Sequence, residues 1–208
     1  MHRYVRVRSG CSVRPSTPTC TGFLLLALSL LLPVVTVFGQ PRSAQNPVSL
    51  RSVDAEKVRT PVFEAKGPAR SVQPEEWLRL VCEYDCEQDW LDEVTFQFYV
   101  AVRGKTRDVP PVSLFRGEVT YINVAKGRRL IADMFLHPDV LARFGELERV
   151  AVLMRADGRV VDMKGKPEIT ARWWEQFSPV EGVLMTRDRT PFLLIDYDAY
   201  PMIRAGGR

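Results

Sequence analysis

Histidine, the side chain most often used for acid–base catalysis, is scarce in this sequence. The chain of 208 residues contains two histidines, and one of them, His137, lies beyond residue 39. It precedes Pro138 at the predicted start of a short helix, where a lone histidine is typical of a cap or a surface position. No Gly-x-Ser-x-Gly elbow occurs, and no Gly-rich phosphate loop follows a predicted strand. The sequence therefore predicts no catalytic residues and no cofactor.

Acidic residues are absent from residues 1–39, which carry four arginines instead. An apolar run follows from Phe23 to Phe38, and Val37-Phe38-Gly39 offers small or tolerated residues to a signal peptidase. A basic start, an apolar middle and a small-residue end are the three parts of a secretory signal. We therefore expect residues 1–39 to be a signal peptide, and the protein to reach the periplasm, the outer membrane or the cell surface.

Two alternatives for this segment stay open. The first is an uncleaved anchor, although the apolar run has 16 residues and contains Pro33, whereas a membrane-spanning helix needs about 20. The second is a pilin-type leader cut between Gly22 and Phe23, although Ala27 stands where such pilins usually carry glutamate. A membrane is an expected partner only if the segment is retained.

The charge balance changes when residues 1–39 are removed. Four of the 29 lysines and arginines lie there, so 25 remain against 25 acidic residues. The exported chain is therefore formally neutral. Nucleic-acid binding requires a basic surface, so we expect no nucleic-acid partner.

Cysteine is also rare, and Cys82 and Cys86 are the pair left after the signal is removed. They are the candidate disulfide, because exported thiols meet an oxidising compartment. Four steps of extended strand cover about 13 Å, and a disulfide needs Cα atoms about 4.4–6.8 Å apart. An internal bridge therefore requires a turn at Glu83-Tyr84-Asp85. Two cysteines and one histidine are too few for a closed zinc site, so we predict no metal.

Alternating hydrophobicity dominates the rest of the chain. Val94, Phe96, Phe98, Val100 and Val102 alternate with less apolar residues, which predicts a strand with one buried face. Residues 40–57 are polar without a period and predict a flexible linker, followed by a domain over residues 58–208. Further strands are predicted at 114–124, 129–136, 148–155, 159–163, 182–186 and 191–197, with a hairpin turn at Asp157-Gly158.

Short helical segments are predicted at 137–145, with Pro138 first and Gly145 last, and at 172–177. Residues 75–86 fit either a helix or a strand, and the neighbouring strands favour a strand. The pattern as a whole predicts an all-β sandwich with one or two short helical turns.

The aromatic residues supply the candidate interface. Trp173 and Trp174 are adjacent, so they cannot both point inward from a regular element. We expect a protein contact formed by Trp173, Trp174 and Phe177. The alternative is a carbohydrate-binding module in which Trp173 or Trp174 forms the sugar platform. A third hypothesis is a small hydrolase with paired carboxylates, Glu83 with Asp85 or Asp196 with Asp198, although such charges more often lie on the outer face of a strand.

Several segments together resemble a bacterial family of exported pilus-like proteins that occurs in type IV pilus-like gene clusters. The similarity runs from about Trp77 to Ile203. It includes Trp77-x-x-Leu80-x-Cys82-x-Tyr84, Trp90-Leu91-Asp92-Glu93-Val94-Thr95-Phe96, Leu114-Phe115-x-Gly117-x-Val119-Thr120-Tyr121, Arg143-Phe144-Gly145, Trp173-Trp174 and Thr190-Pro191-Phe192.

The resemblance implies an immunoglobulin-like β-sandwich without catalytic activity. It also implies a structural or adaptor role in a pilus-like assembly of the cell envelope. The expected partners are envelope or pilus-like assembly proteins, with a homo-oligomer as a further possibility. The family pattern assigns no role to Cys82 and Cys86.

We predict that the exported protein begins at Gln40, because the apolar run ends at Val37-Phe38-Gly39. N-terminal mass analysis of secreted material measures this directly. A start at Phe23 would support the pilin-type leader instead, and an intact Met1 would support an anchor.

Overall fold

The computed structural model describes residues 46–62 and 73–205, and these ranges contain eight strands and one α-helix. The strands are β1 (Val48–Arg59), β2 (Glu76–Arg103), β3 (Val112–Leu136), β4 (Glu146–Ala156), β5 (Arg159–Lys166), β6 (Val180–Glu181), β7 (Leu184–Thr186) and β8 (Met202–Ile203). The helix α1 spans Pro138–Phe144, and 3-10 turns lie at Trp173–Gln176, Arg187–Arg189 and Tyr197–Ala199. The all-β prediction is confirmed, and the predicted signal peptide lies outside the described residues.

The long antiparallel hairpin of β2 and β3 organises the sheet. Its register runs from Leu78 opposite Leu136 to Arg103 opposite Val112, with irregularities around Cys86 and Trp90. On one side of that irregularity β2 also pairs with β1, and on the other side it pairs with β4. The two halves of one hairpin therefore belong to two layers of a sandwich.

The core lies between these layers. The five residues of the predicted alternating strand, Val94 to Val102, are all fully buried in it. Tyr84 from the first half of β2 meets Phe96 from the second half, with ring centroids 4.8 Å apart. The predicted period of two is confirmed here, and the two halves of the hairpin face each other.

The outer faces of both layers are also partly covered. Trp174 packs with Leu114 and Leu153 on one outer face, and Phe192 packs with Trp77 and Phe135 on the other. Both covering residues follow β5 in the chain. The segment after β5 therefore covers two outer sheet faces that would otherwise be exposed to water.

Local signals in the sequence predict the turns and the helix well. Asp157 and Gly158 both have positive φ, 51° and 72°, as the hairpin turn between β4 and β5 requires. His137 caps α1 by accepting a hydrogen bond from the backbone N–H of Asp139 at 3.2 Å. Residues 76–86 form part of β2, which confirms the strand over the helix.

The flexible linker predicted for residues 40–57 is wrong from Val48 onward, because Val48–Arg59 forms strand β1. Its buried positions are Val48, Leu50 and Val53, and the register with β2 shifts between Leu50 and Ser52. A bulge of this kind inserts one extra residue and breaks the period of two. The hydrophobic pattern therefore looked aperiodic although the segment is a paired strand.

The last strand predicted at 191–197 is also wrong, because this segment forms consecutive turns. The backbone N–H of Phe192 donates to Thr190 Oγ1 at 3.3 Å, and the backbone N–H of Ile195 donates to the carbonyl oxygen of Phe192 at 3.1 Å. Asp196 has a positive φ of 50°, a left-handed conformation that departs from regular strand geometry. The last strand is Met202–Ile203 instead.

Side chains join the edges of β1 and β5. Asp162 Oδ2 accepts a hydrogen bond from the Leu50 backbone N–H at 2.8 Å, and Lys166 Nζ lies 2.7 Å from Asp54 Oδ1. Asn46 Nδ2 donates to the carbonyl oxygen of Val161 at 2.9 Å. These contacts cover the two edges without a backbone ladder between them. We call this contact the β1–β5 seam.

No helix within residues 46–62 and 73–205 is long and apolar enough to cross a membrane.

Replacing Gly145 with alanine is expected to destabilise the protein by about 3 kcal/mol or more, because φ is 130° there and a Cβ would overlap the carbonyl oxygen of Arg103. Gly158→Ala is the matched control, since its φ is also positive but nothing lies within 4 Å of the added Cβ. Gly158→Ala should lower the free energy of unfolding by about 1 kcal/mol. Urea unfolding compares the two variants, and equal losses would contradict the steric argument.

Candidate interaction surface

Trp173 and Trp174 lie in different environments, although both belong to the 3-10 turn Trp173–Gln176. Trp174 is 4% exposed and stacks on Tyr99 of β2, with ring centroids 5.2 Å apart. Trp173 is half-buried and meets the ring of Trp174 edge-on at 5.5 Å. The buried indole of Trp174 therefore lies between the sheet and the more accessible indole of Trp173.

A cleft of about 440 Å³ adjoins Trp173. The guanidinium of Arg149 lies 5.4 Å from the centre of the Trp173 ring, within range of a cation–π contact. Arg149 also pairs with Glu148 at 2.7 Å. The cleft is lined by Glu148, Arg149, Pro167, Glu168, Thr170, Ala171, Trp173 and Gln176.

Phe177 follows this turn and is 37% exposed. We use the name Trp173 surface for Arg149, Trp173, Gln176 and Phe177. Of the three aromatic residues predicted for the interface, the structure leaves Trp173 and Phe177 accessible and places Trp174 in the core.

Cys82 and Cys86 do not form the internal disulfide that the sequence left conditional on a turn. Both are buried free thiols on the inner face of β2. Glu83, Tyr84 and Asp85 remain extended, since each pairs with β1, so the cysteine Cα atoms lie about 13 Å apart. Burial raises the pKa of both thiols, and for Cys82 the nearby Asp133 raises the pKa further.

The carboxylate pairs of the hydrolase hypothesis are placed in unrelated surroundings. Both oxygens of Asp85 lie 2.7 Å from Arg51 Nε, and this hydrogen bond is the main reason why the pKa of Asp85 is lowered. Asp196 and Asp198 lie in turns rather than on a strand. Within the described ranges no three histidine, cysteine or acidic side chains are grouped closely enough to hold a metal ion.

A buried ionic cluster on the outer face of β3 was not predicted from the sequence. The Asp133 carboxylate is fully buried, and its Oδ2 accepts from Arg187 Nη1 at 2.9 Å and from Arg79 Nε at 3.0 Å. Arg79 Nη2 also donates to the Tyr200 hydroxyl at 2.6 Å, and the Arg187 guanidinium lies 3.8 Å from the centre of the Tyr200 ring. The available signal was a lone charge inside the apolar run of residues 130–136, which indicates a buried partner.

Trp90 is a second residue that was given no role from the sequence. Its side chain is 65% exposed at the irregularity of β2. Its neighbours in the sequence are polar or charged, Glu87-Gln88-Asp89 before it and Asp92-Glu93 shortly after it, and this was the available signal of exposure.

These features define a two-layered, mostly antiparallel β-sandwich with an accessible tryptophan supported from the core. A family model matches residues 39–206, and the chain belongs to this bacterial protein family. A crystal structure of a protein from Akkermansia muciniphila is similar, with a TM-score of 0.67 and 23% sequence identity. The similarity covers 77% of this chain and 94% of the Akkermansia chain, and it shows a shared fold. No curated protein sequence matches.

We expect Cys82 and Cys86 to react slowly with a thiol reagent in the native, unreduced protein, because burial raises their pKa values and blocks access. Both should react quickly once the chain is unfolded without reductant. Mass analysis of the peptides that carry Cys82 and Cys86 distinguishes them from Cys11 and Cys20, which lie in the predicted signal peptide. Protection that survives unfolding would reveal a disulfide, and a reducible dimer would reveal an intermolecular one.

Proposed function

We propose that this chain is a non-enzymatic protein of the bacterial cell envelope, exported through its N-terminal segment. It serves as a structural or adaptor component of a pilus-like assembly and binds a partner protein through the Trp173 surface. The pilus-like role follows the sequence resemblance, and the contact itself is argued from the geometry.

The position of Trp173 is the observation that carries the proposal. Its indole is held by Trp174, which is in turn stacked on Tyr99 in the sandwich. A side chain supported in this way loses little freedom when a partner binds. Tryptophan and arginine are the residues most enriched where interfaces concentrate their binding energy, and Arg149 lies against the same ring.

The charge of the exported chain supports a protein partner over a charged polymer. The predicted exported segment carries equal numbers of basic and acidic residues, so it exerts little long-range attraction on a polyanion. Contact energy must then come from local packing, which an accessible aromatic surface supplies.

Carbohydrate binding is the second candidate. Gln176, Glu168 and Thr170 line the same cleft as Trp173, and polar groups beside an accessible aromatic ring suit a sugar ring. The Arg149 guanidinium already lies against the Trp173 ring, which reduces the area left for sugar stacking. We therefore favour a protein partner.

Trp173→Ala is expected to weaken partner binding by about 2 kcal/mol, roughly thirtyfold, with little change in melting temperature. Trp90→Ala is the matched control, since it removes an exposed tryptophan that lies outside the Trp173 surface. The partner is first captured from intact cells by a photo-crosslinking residue at position 176, which lines the same cleft and leaves the Trp173 indole in place. Its affinity for each variant is then measured by titration.

Equal losses of partner affinity for Trp173→Ala and Trp90→Ala would contradict the assignment of binding to the Trp173 surface. A glycan array separates the second candidate from the first. Binding of a polysaccharide that depends on Trp173, with no protein cross-linked at position 176, would replace the protein-binding proposal.

A further inference from the structure

The edge of β3 that faces away from β2 is paired with other strands only over short, separate stretches. β6 pairs with it at Phe115 and Arg116, and β8 pairs with it at Tyr121 and Ile122. Among the described residues no strand lies beside Gly117–Val119, which we call the β3 window. The backbone contacts that flank the window, at Arg116 and at Thr120, lie about 13 Å apart along the strand. This gap is long enough for a short extended segment.

The backbone of Glu118 faces this gap. The Arg204 backbone N–H donates to the carbonyl oxygen of Thr120 at 2.8 Å, so the Thr120 backbone faces away from β2. Backbone direction alternates along a strand, so the N–H and C=O of Glu118 point to the same side as those of Thr120. No described residue bonds to them. Glu118 therefore offers one donor and one acceptor to an added strand.

A cleft of about 470 Å³ lies over the β3 window. Leu184 and Ile203 form part of its wall. At Gly117 the layers approach so closely that an added Cβ would lie 2.6 Å from the Cβ of Leu184. The charged residues of the lining are balanced, three of each sign: Arg116, Arg189 and Arg204 against Glu118, Glu181 and Asp188.

This composition selects the chemistry of the occupant. Balanced charges give a strongly charged ligand no net attraction. An exposed strand edge binds extended peptide backbone, and neighbouring pockets select alternate side chains. A neutral peptide segment therefore satisfies both the backbone groups of Glu118 and the apolar wall at Leu184 and Ile203.

We propose that the β3 window binds an extended, electrically neutral segment of the partner protein by strand addition at Glu118. A small apolar side chain of that segment contacts Leu184 and Ile203. This inference rests on the proposed protein-binding function, and adds a second contact and its chemistry to the Trp173 surface.

The probe is an acetylated and amidated hexapeptide of alternating threonine and valine, added to the protein expressed from its full sequence. Hydrogen exchange of the Glu118 amide, followed by NMR, should be fast without peptide and at least tenfold slower with saturating peptide. This measurement uses the unmodified chain and does not depend on how any variant folds.

Glu118→Pro removes the N–H that faces the cleft and leaves the ladder with β2, because proline is tolerated at an edge position. Glu118→Ala is its matched control. Both variants lose the hydrogen bond between Gln97 and the Glu118 carboxylate, but the alanine variant keeps the backbone N–H. We expect the proline variant to bind the peptide about tenfold more weakly than the alanine variant.

Equal peptide affinity of the two variants would overturn the proposal. So would a Glu118 amide that is already protected in dilute protein without peptide, since the chain itself would then fill the edge. Protection that rises with protein concentration alone would assign the window to a second copy. If the peptide protects the Glu118 amide but Trp173→Ala does not weaken partner binding, the β3 window is supported and the Trp173 surface is rejected. If Trp173→Ala weakens partner binding but the peptide does not protect Glu118, the Trp173 surface is supported and the β3 window is rejected.

Discussion

The long antiparallel ladder between β2 and β3 is the interaction on which the rest of the structure depends. Each strand contributes to both layers, so the layers share a covalent and hydrogen-bonded connection instead of meeting only through side chains. The ladder becomes irregular near Cys86 and Trp90, and Asn123 and Arg129 on β3 have positive φ values of 53° and 55°. These local departures from regular pairing let one long hairpin supply two facing sheets.

The remainder of the chain completes surfaces that this hairpin leaves open. β1 and β4 extend the two layers. The segments after β5 then cover the outer faces, with Trp174 on one face and Phe192 on the other. The buried pair of Asp133 and Arg187 attaches the second cover to β3. Such a pair contributes little net stability compared with apolar packing, but burying either charge without the other would be strongly destabilising. The pair therefore favours one position of the segment that carries Phe192.

Sequence reasoning succeeded where the physical signal is local. The alternation from Val94 to Val102, the Asp157-Gly158 turn and the Pro138 helix start each depend on neighbouring residues, and each was predicted. β1 was missed because a bulge at Arg51 disrupts its period. The Asp133–Arg187 pair joins residues 54 positions apart, and no local pattern indicates which arginine the aspartate meets. For the candidate surface, adjacency showed that the two tryptophans must diverge, but only the packing on Tyr99 decided which one is buried.

The β1–β5 seam has a consequence for the strand addition proposed at Glu118. Along the seam, Asp162 and Lys166 occupy the space that a neighbouring chain would need in order to add a strand. Among the described residues, the gap at Glu118 lies on the opposite margin of the sheet, beyond β3. A subunit with one margin sealed and one open can receive a strand on one side only. Under the proposed strand addition at Glu118, edge pairing would end after a single partner, whereas two open margins would allow a sheet to grow without limit.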